Sequence, residues 1–147
     1  MRARLSPENL KPNASVSLEI PFHDVDSINI VWHGHYMKYF ECARTALFQK
    51  IGHDIPEMLA SGYGYPVVDL QAKYIKPLKY GQKIKVIAAI AEYEHKLKVL
   101  YAIHDATTGE VVATGHTIQY VIDINTGATL IETPAILREH VLRAATQ

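Results

Sequence analysis

Cysteine is all but missing from this chain of 147 residues, where Cys42 stands alone. A single thiol excludes an internal disulfide and a thiolate metal cage, and it points to the cytoplasm. Long apolar runs are missing as well. The longest, Val86 to Ala91, has six residues, against the roughly 20 that a helix needs to cross a bilayer. Met1-Arg2-Ala3-Arg4-Leu5-Ser6-Pro7 carries charge but no apolar stretch behind it, so no signal peptide is expected. Net charge is absent too: 15 basic residues balance 15 acidic ones. That balance disfavours nucleic-acid binding by bulk electrostatics. No internal repeat or low-complexity tract interrupts the chain.

What is present fits one globular domain. Apolar residues make up 48% and charged residues 20%. A chain of this mass buries about two-thirds of its surface on folding, enough for a core without staples. The zero charge is a cancellation. Residues 1–72 sum to −2, residues 73–98 to +5 and residues 99–147 to −3. Lysines of the basic middle suit either solvent-facing strand edges or a polyanionic small ligand.

Residues 1–14 read as an irregular arm, and 15–147 as a single domain. Val16, Leu18 and Ile20 alternate, so Ser15 to Phe22 is predicted as a strand. His23 to His33 has no period and reads as a loop. Tyr36, Tyr39, Phe40, Ala43, Leu47 and Ile51 recur at helical spacing, which predicts a helix over 35–51 with Gly52 at its C′ position. After a glycine-containing loop, four strands are predicted at 66–75, 83–93, 97–105 and 111–124. Their short links imply antiparallel hairpins. Pro134 opens a final helix over 134–145. The class is α+β: a long helix against a five-stranded antiparallel sheet. Five strands and one long helix leave sheet uncovered, so pairing across a two-fold axis is expected.

Two segments offer chemistry. Asp24 and Asp26 follow the first strand, and an extended backbone would put both carboxylates on one face. There, like charges would raise one pKa, and a carboxylate can act as nucleophile or general base. The plainer alternative is a pair of turn or cap residues. The second segment is Trp32-His33-Gly34-His35-Tyr36. Its amides lie at the positive end of a long helix, where they can polarise a carbonyl oxygen and hold an oxyanion. Gly34 would permit close approach of a ligand. His33 and His35 could ligate a metal with His23, but helical spacing would turn them about 200° apart. With no matching ligand cluster downstream, no metal is called for. Cys42, on the helix with no base within a turn, reads as a packed thiol.

These residues resemble a known signature. Asp24-Val25-Asp26, Ile30-Val31-Trp32-His33-Gly34-His35-Tyr36 and Lys38-Tyr39-Phe40-Glu41-x-Ala43-Arg44 are similar to the 4-hydroxybenzoyl-CoA thioesterase-like family of hotdog-fold acyl-CoA thioesterases. Pro66-Val67-Val68 and Pro77-x-x-x-Gly81-x-x-Ile84 extend the likeness over about residues 15–127. The resemblance implies a hotdog fold, a long central helix wrapped by the sheet, and hydrolysis of an acyl-CoA or acyl-carrier-protein thioester. Asp26 takes the position of the family's nucleophile or base. His33, with Gly34, takes that of the amides capping the thioester oxygen. Tyr36 takes the position of the aromatic that lines the acyl pocket, Trp32 is expected among the substrate-binding residues, and His95 and Lys96 fall near the phosphates or adenine of coenzyme A. It further implies no cofactor beyond the coenzyme A or phosphopantetheine of the substrate, and a homodimer or a tetramer of dimers. The family's glycine after the catalytic Asp is Asn29 here, which tolerates a left-handed backbone. Ile28 is bulky and would narrow the pocket. A hotdog-fold dehydratase and a non-catalytic acyl-thioester-binding module are the alternatives. The dehydratase uses a His in a segment like H-F-P-x-x-P, which this chain lacks.

Overall fold

The computed structural model describes residues 6–146. Strand β1 (Asn13–Glu19) precedes the long helix α1 (Tyr36–Ile51) and a short helix α2 (Ile55–Ala60). Then come β2 (Tyr63–Gly64), β3 (Val67–Tyr74), β4 (Lys83–Glu92), β5 (Leu97–Asp105), β6 (Val111–Gln119) and β7 (Ile122–Asp123), and a last helix α3 (Ala135–Ala145). Five strands form one antiparallel sheet in the order β1-β4-β5-β6-β3. β2 and β7 form a separate two-stranded ribbon. This is the hotdog arrangement expected above. Among the described residues no helix is long and apolar enough to cross a membrane.

The sheet curls about α1 because of how its faces are filled. Tyr36, Tyr39, Phe40, Ala43, Leu47 and Ile51 are all buried, as their spacing predicts. Ile84, Val86 and Ala88 of β4 and Val99, Tyr101 and Ile103 of β5 meet them from the sheet. Residues two apart share a face of a strand, so each strand offers α1 one alternating set. Gly115 of β6 faces α1 without a side chain, which lets the ring of Phe40 lie almost on the strand.

α1 ends as its sequence dictates. Gly52 is left-handed (φ 75°), and its N–H donates to the carbonyls of Phe48 and Gln49. A Cβ there would meet only His140, at an ordinary 3.6 Å. The cost of Gly52→Ala is therefore conformational, about 1 kcal/mol. A fall in Tm of about 2–4 °C with unchanged activity is expected from thermal melts.

Several boundaries differ from the sequence reading. β1 begins two residues early, because Asn13 and Ala14 already pair with Ala89 and Ala88. The arm is partly structured: Pro7–Asn9 form a turn of 3-10 helix, and Pro7 is buried. Residues 1–5 of the predicted arm lie outside the described residues. The segment after Gly52 contains α2, capped by Asp54, whose carboxylate accepts the Ile55 N–H at 2.8 Å. The predicted last strand breaks after Gln119, leaving β7 to pair with β2. Cys42 is exposed, so the packed-thiol reading was wrong: position 42 falls outside the apolar stripe.

Candidate active site

The loop between β1 and α1 is tied down at both ends. The Val31 N–H donates to the carbonyl of buried Leu78, and the Trp32 N–H to the carbonyl of Asp24. Between these ties, Asp26 organises a tight turn. Its N–H donates to the Ile30 carbonyl at 2.8 Å. Its Oδ1 accepts from the N–H groups of Ile28 and Ile30 at 3.0 and 3.3 Å. Asn29 sits in the turn with φ 61°, the left-handed backbone that asparagine supports better than most residues. Oδ2 of Asp26 has no protein partner among the described residues.

A turn of 3-10 helix, His33–His35, leads into α1. The Trp32 carbonyl accepts the His35 N–H, and the His33 carbonyl accepts the Tyr36 N–H. The N–H groups of His33 and Gly34 find no acceptor among the described residues. They are therefore free donors at the positive end of a helix.

Asp26, Trp32, His33 and Tyr36 line one cavity of about 350 Å³, with Tyr74, Ile75, Lys76 and Pro77 on the opposite wall. Trp32, Tyr36 and Tyr74 give the walls their aromatic part. Tyr74 meets Tyr36 edge to face at 4.7 Å and His33 at 6.4 Å. Burial pushes the Tyr36 phenol above its ordinary pKa, so it stays a neutral hydroxyl. Of the two residues with a free amide, His33 lines this cavity together with Asp26, and Gly34 follows it in the chain without lining the wall; an amide donor and a carboxylate beside one cavity are groups that acyl transfer can use.

Other sequence-derived candidates fall elsewhere. His95 and Lys96 sit in the turn between β4 and β5, outside this cavity, with Lys96 3.9 Å from Glu92. Of the seven lysines in 73–98, only Lys76 lines the cavity. Lys73 and Lys98 line a groove on the sheet face turned away from α1. Gly34 is not opened to a ligand on its Cα side. A Cβ there would lie 2.2 Å from the Trp32 indole, so the glycine accommodates that ring. Ile28 is exposed and absent from the cavity wall, so within one chain it does not narrow the pocket.

Asp24 and Asp26 do not share a face. Asp24 lies in a 3-10 turn, Phe22–Asp24, which swings its carboxylate inward. There it accepts from Lys38 Nζ at 2.7 Å and from the Tyr39 hydroxyl at 2.6 Å. Burial alone would raise its pKa. The hydrogen bonds from Lys38 and Tyr39 and the Lys38 charge outweigh burial and hold the carboxyl below the usual range. Asp24 thus braces the start of α1. A depressed folded pKa contributes stability above the unfolded value of about 3.9, and that contribution is lost as pH falls through the lower folded value. Asp24→Asn is expected to cost about 1–3 kcal/mol near pH 7, chiefly through the weakened bond to buried Tyr39. Thermal melts should show wild type and variant converging below about pH 4. A constant gap down to pH 3 would contradict the ionic role.

Tyr74 is the cavity residue that the sequence reading missed. Its signal is the segment Tyr74-Ile75-Lys76-Pro77, in which the proline ends β3 at the cavity wall.

Comparison with known proteins agrees with this geometry. A Bacillus subtilis protein named as an acyl-CoA thioesterase is 34% identical over 87 residues, covering 59% of this chain and 62% of that protein. A Synechocystis protein named as an esterase is 28% identical over 129 residues, covering 87% and 78%. Among solved structures, a DHNA-CoA thioesterase from Staphylococcus aureus superposes with a TM-score of 0.74 at 28% identity, covering 81% of this chain and 80% of that one. Residues 20–144 match the family profile of the thioesterase-like superfamily, a span that takes in the loop, α1, strands β2 to β7 and all but the last residue of α3, so the chain belongs to that superfamily.

Proposed function

We propose that this protein is an acyl-CoA thioesterase in which Asp26 drives hydrolysis and the amides of His33 and Gly34 receive the thioester oxygen. The observation that carries the reading is one cavity bringing together the Asp26 carboxylate and the helix start that holds those free amides. Asp26 takes a proton from water as the water oxygen bonds to the acyl carbon. Negative charge gathers on the former carbonyl oxygen, facing the two N–H groups. The C–S bond then breaks, and the sulfur leaves as a thiol carrying the proton. In the covalent variant, the Asp26 carboxylate bonds to the acyl carbon as the C–S bond breaks and the thiolate leaves; water then cleaves the resulting anhydride to the free acid, and the proton left on Asp26 passes to the thiolate. Trp32 and Tyr36 pack on the acyl group. The carrier is coenzyme A or a phosphopantetheine arm.

The working unit is a homodimer. β3 is an edge strand, hydrogen-bonded on one side to β6. It carries Val67, Val68 and Leu70, and Ile75 follows it directly, each more than 40% exposed. Such an apolar, unpaired edge supports pairing with a second copy. Tyr74 ends this strand at the cavity and Ile75 follows it there, so a partner on this edge adjoins the site. In the dimer, His95, Lys96 or other lysines of the partner approach the carrier's phosphates.

The deciding experiment measures free-thiol release by the purified protein across acyl-CoAs with aromatic, short and long acyl groups. Enoyl formation is followed in parallel. Saturable thiol release on at least one substrate is expected. Enoyl product without thiol would establish a dehydratase instead. Thermal stabilisation without turnover on any substrate would establish a binding module.

A further inference from the structure

Tyr74 stands 41 residues from His33 and reaches its backbone. The Tyr74 hydroxyl donates to the His33 carbonyl at 3.0 Å. The same carbonyl accepts the Tyr36 N–H that closes the first turn. Both acceptor sites of that oxygen are thereby used. The His33 carbonyl and the Gly34 N–H belong to one planar peptide unit. A donor on the oxygen fixes the plane of that unit and polarises its N–H, because linked hydrogen bonds strengthen one another.

We propose that Tyr74 is a positioning residue for thioester hydrolysis, holding the His33–Gly34 peptide so that its free amide is aimed and polarised as an oxyanion donor. This rests on the reading that these amides receive the thioester oxygen. Two features make the contact more than incidental packing. The Tyr74 ring is itself held, edge to face at 4.7 Å against buried Tyr36. Tyr74 also lies at the end of β3, a strand hydrogen-bonded to β6 along its length, whereas the peptide it grips opens the single 3-10 turn that leads into α1. The sheet thus supplies a fixed reference for the oxyanion site, as catalytic geometry needs.

Tyr74→Phe isolates the hydroxyl, since the ring and its contact with Tyr36 remain. Losing one ordinary hydrogen bond that acts on the transition state is expected to lower kcat about threefold to tenfold, with KM within about twofold. A purely structural role would lower Tm and leave kcat per folded molecule unchanged. A second readout needs no turnover: in ¹⁵N-labelled protein, the Gly34 amide proton should move upfield in Tyr74→Phe. An unmoved Gly34 resonance overturns the proposal, as does wild-type kcat in Tyr74→Phe while wild type hydrolyses acyl-CoA. If wild type itself releases no thiol from any acyl-CoA, the thioesterase reading fails, and the catalytic role of Tyr74 falls with it.

Discussion

Asp26→Asn is expected to lower kcat for thiol release by about 10²–10⁴-fold, the range that a positioned general base supplies. KM should change little, since the amide occupies the same space. The asparagine variant is the informative one because Asp26 does two things. Its Oδ1 holds the turn by accepting from Ile28 and Ile30, whereas Oδ2 is unengaged. Asparagine keeps an Oδ1 acceptor, so Asn29 keeps its left-handed backbone and the loop its shape. What it lacks is the negative charge and the proton affinity. Asp26→Ala would remove the turn contacts as well and confuse a folding loss with a chemical one. Tm within about 2 °C of wild type is therefore expected for Asp26→Asn, in line with a surface substitution that preserves its hydrogen bonds. Wild-type kcat in a variant with native Tm would remove Asp26 from the mechanism. Asp24→Asn should give the converse pattern: lower Tm with kcat largely kept, because Asp24 faces Lys38 and Tyr39 and does not line the cavity.

That division between the two aspartates marks where sequence reasoning reached its end. The order of strands and helices was legible, because alternation along β1, β4 and β5 and the helical stripe of α1 are local signals. The C′ glycine was legible for the same reason, and the left-handed backbone at Asn29 was expected from the glycine that the resembling family carries there, which asparagine can replace. The inward swing of Asp24 was not. It depends on Tyr39 and Lys38, 15 and 14 residues later, arriving beneath the loop once α1 has docked. Likewise, Gly34 looked like room for a ligand, and the Trp32 ring fills that room. The basic stretch misled in part because strands alternate. Lysines close in sequence point to opposite faces or leave from loops, so Lys76 reaches the cavity and Lys73 the far side of the sheet. The contact between Tyr74 and His33 spans a strand and a helix start, and no local pattern announces it. α2 did leave a trace, in Asp54 followed by Ile55-Pro56-Glu57, a capping residue with proline in the first turn.

Phe40→Ala is expected to be the most destabilising single truncation among these predictions, at about 3–5 kcal/mol. Phe40 is 1% exposed and stacks on Tyr101 with centroids 4.6 Å apart and planes 16° from parallel. Tyr101 is fixed in turn by a 2.7 Å hydrogen bond between its hydroxyl and Thr117. The ring fits because position 115 is glycine. A Cβ there would lie 2.7 and 2.9 Å from Phe40 ring atoms and 2.5 Å from the Gln71 carbonyl oxygen. Gly115→Ala therefore overpacks the same spot from the other side, at about 1–3 kcal/mol or more. The two obstacles differ in kind. A ring can be shortened, but Gln71 belongs to the β3–β6 ladder and moves only with the strand. Combining Phe40→Leu with Gly115→Ala should accordingly cost less than the sum of the single changes in urea unfolding. It should still be less stable than Phe40→Leu alone. Strict additivity would mean that the ring and the missing side chain do not compete for one space. The packing also bears on the site. Tyr36 lies one helical turn before Phe40 on the same buried face of α1. Pushing Phe40 off the sheet tilts the helix that carries Tyr36 and the oxyanion amides. Gly115→Ala should thus lower kcat in the fraction that remains folded, although position 115 does not line the catalytic cavity.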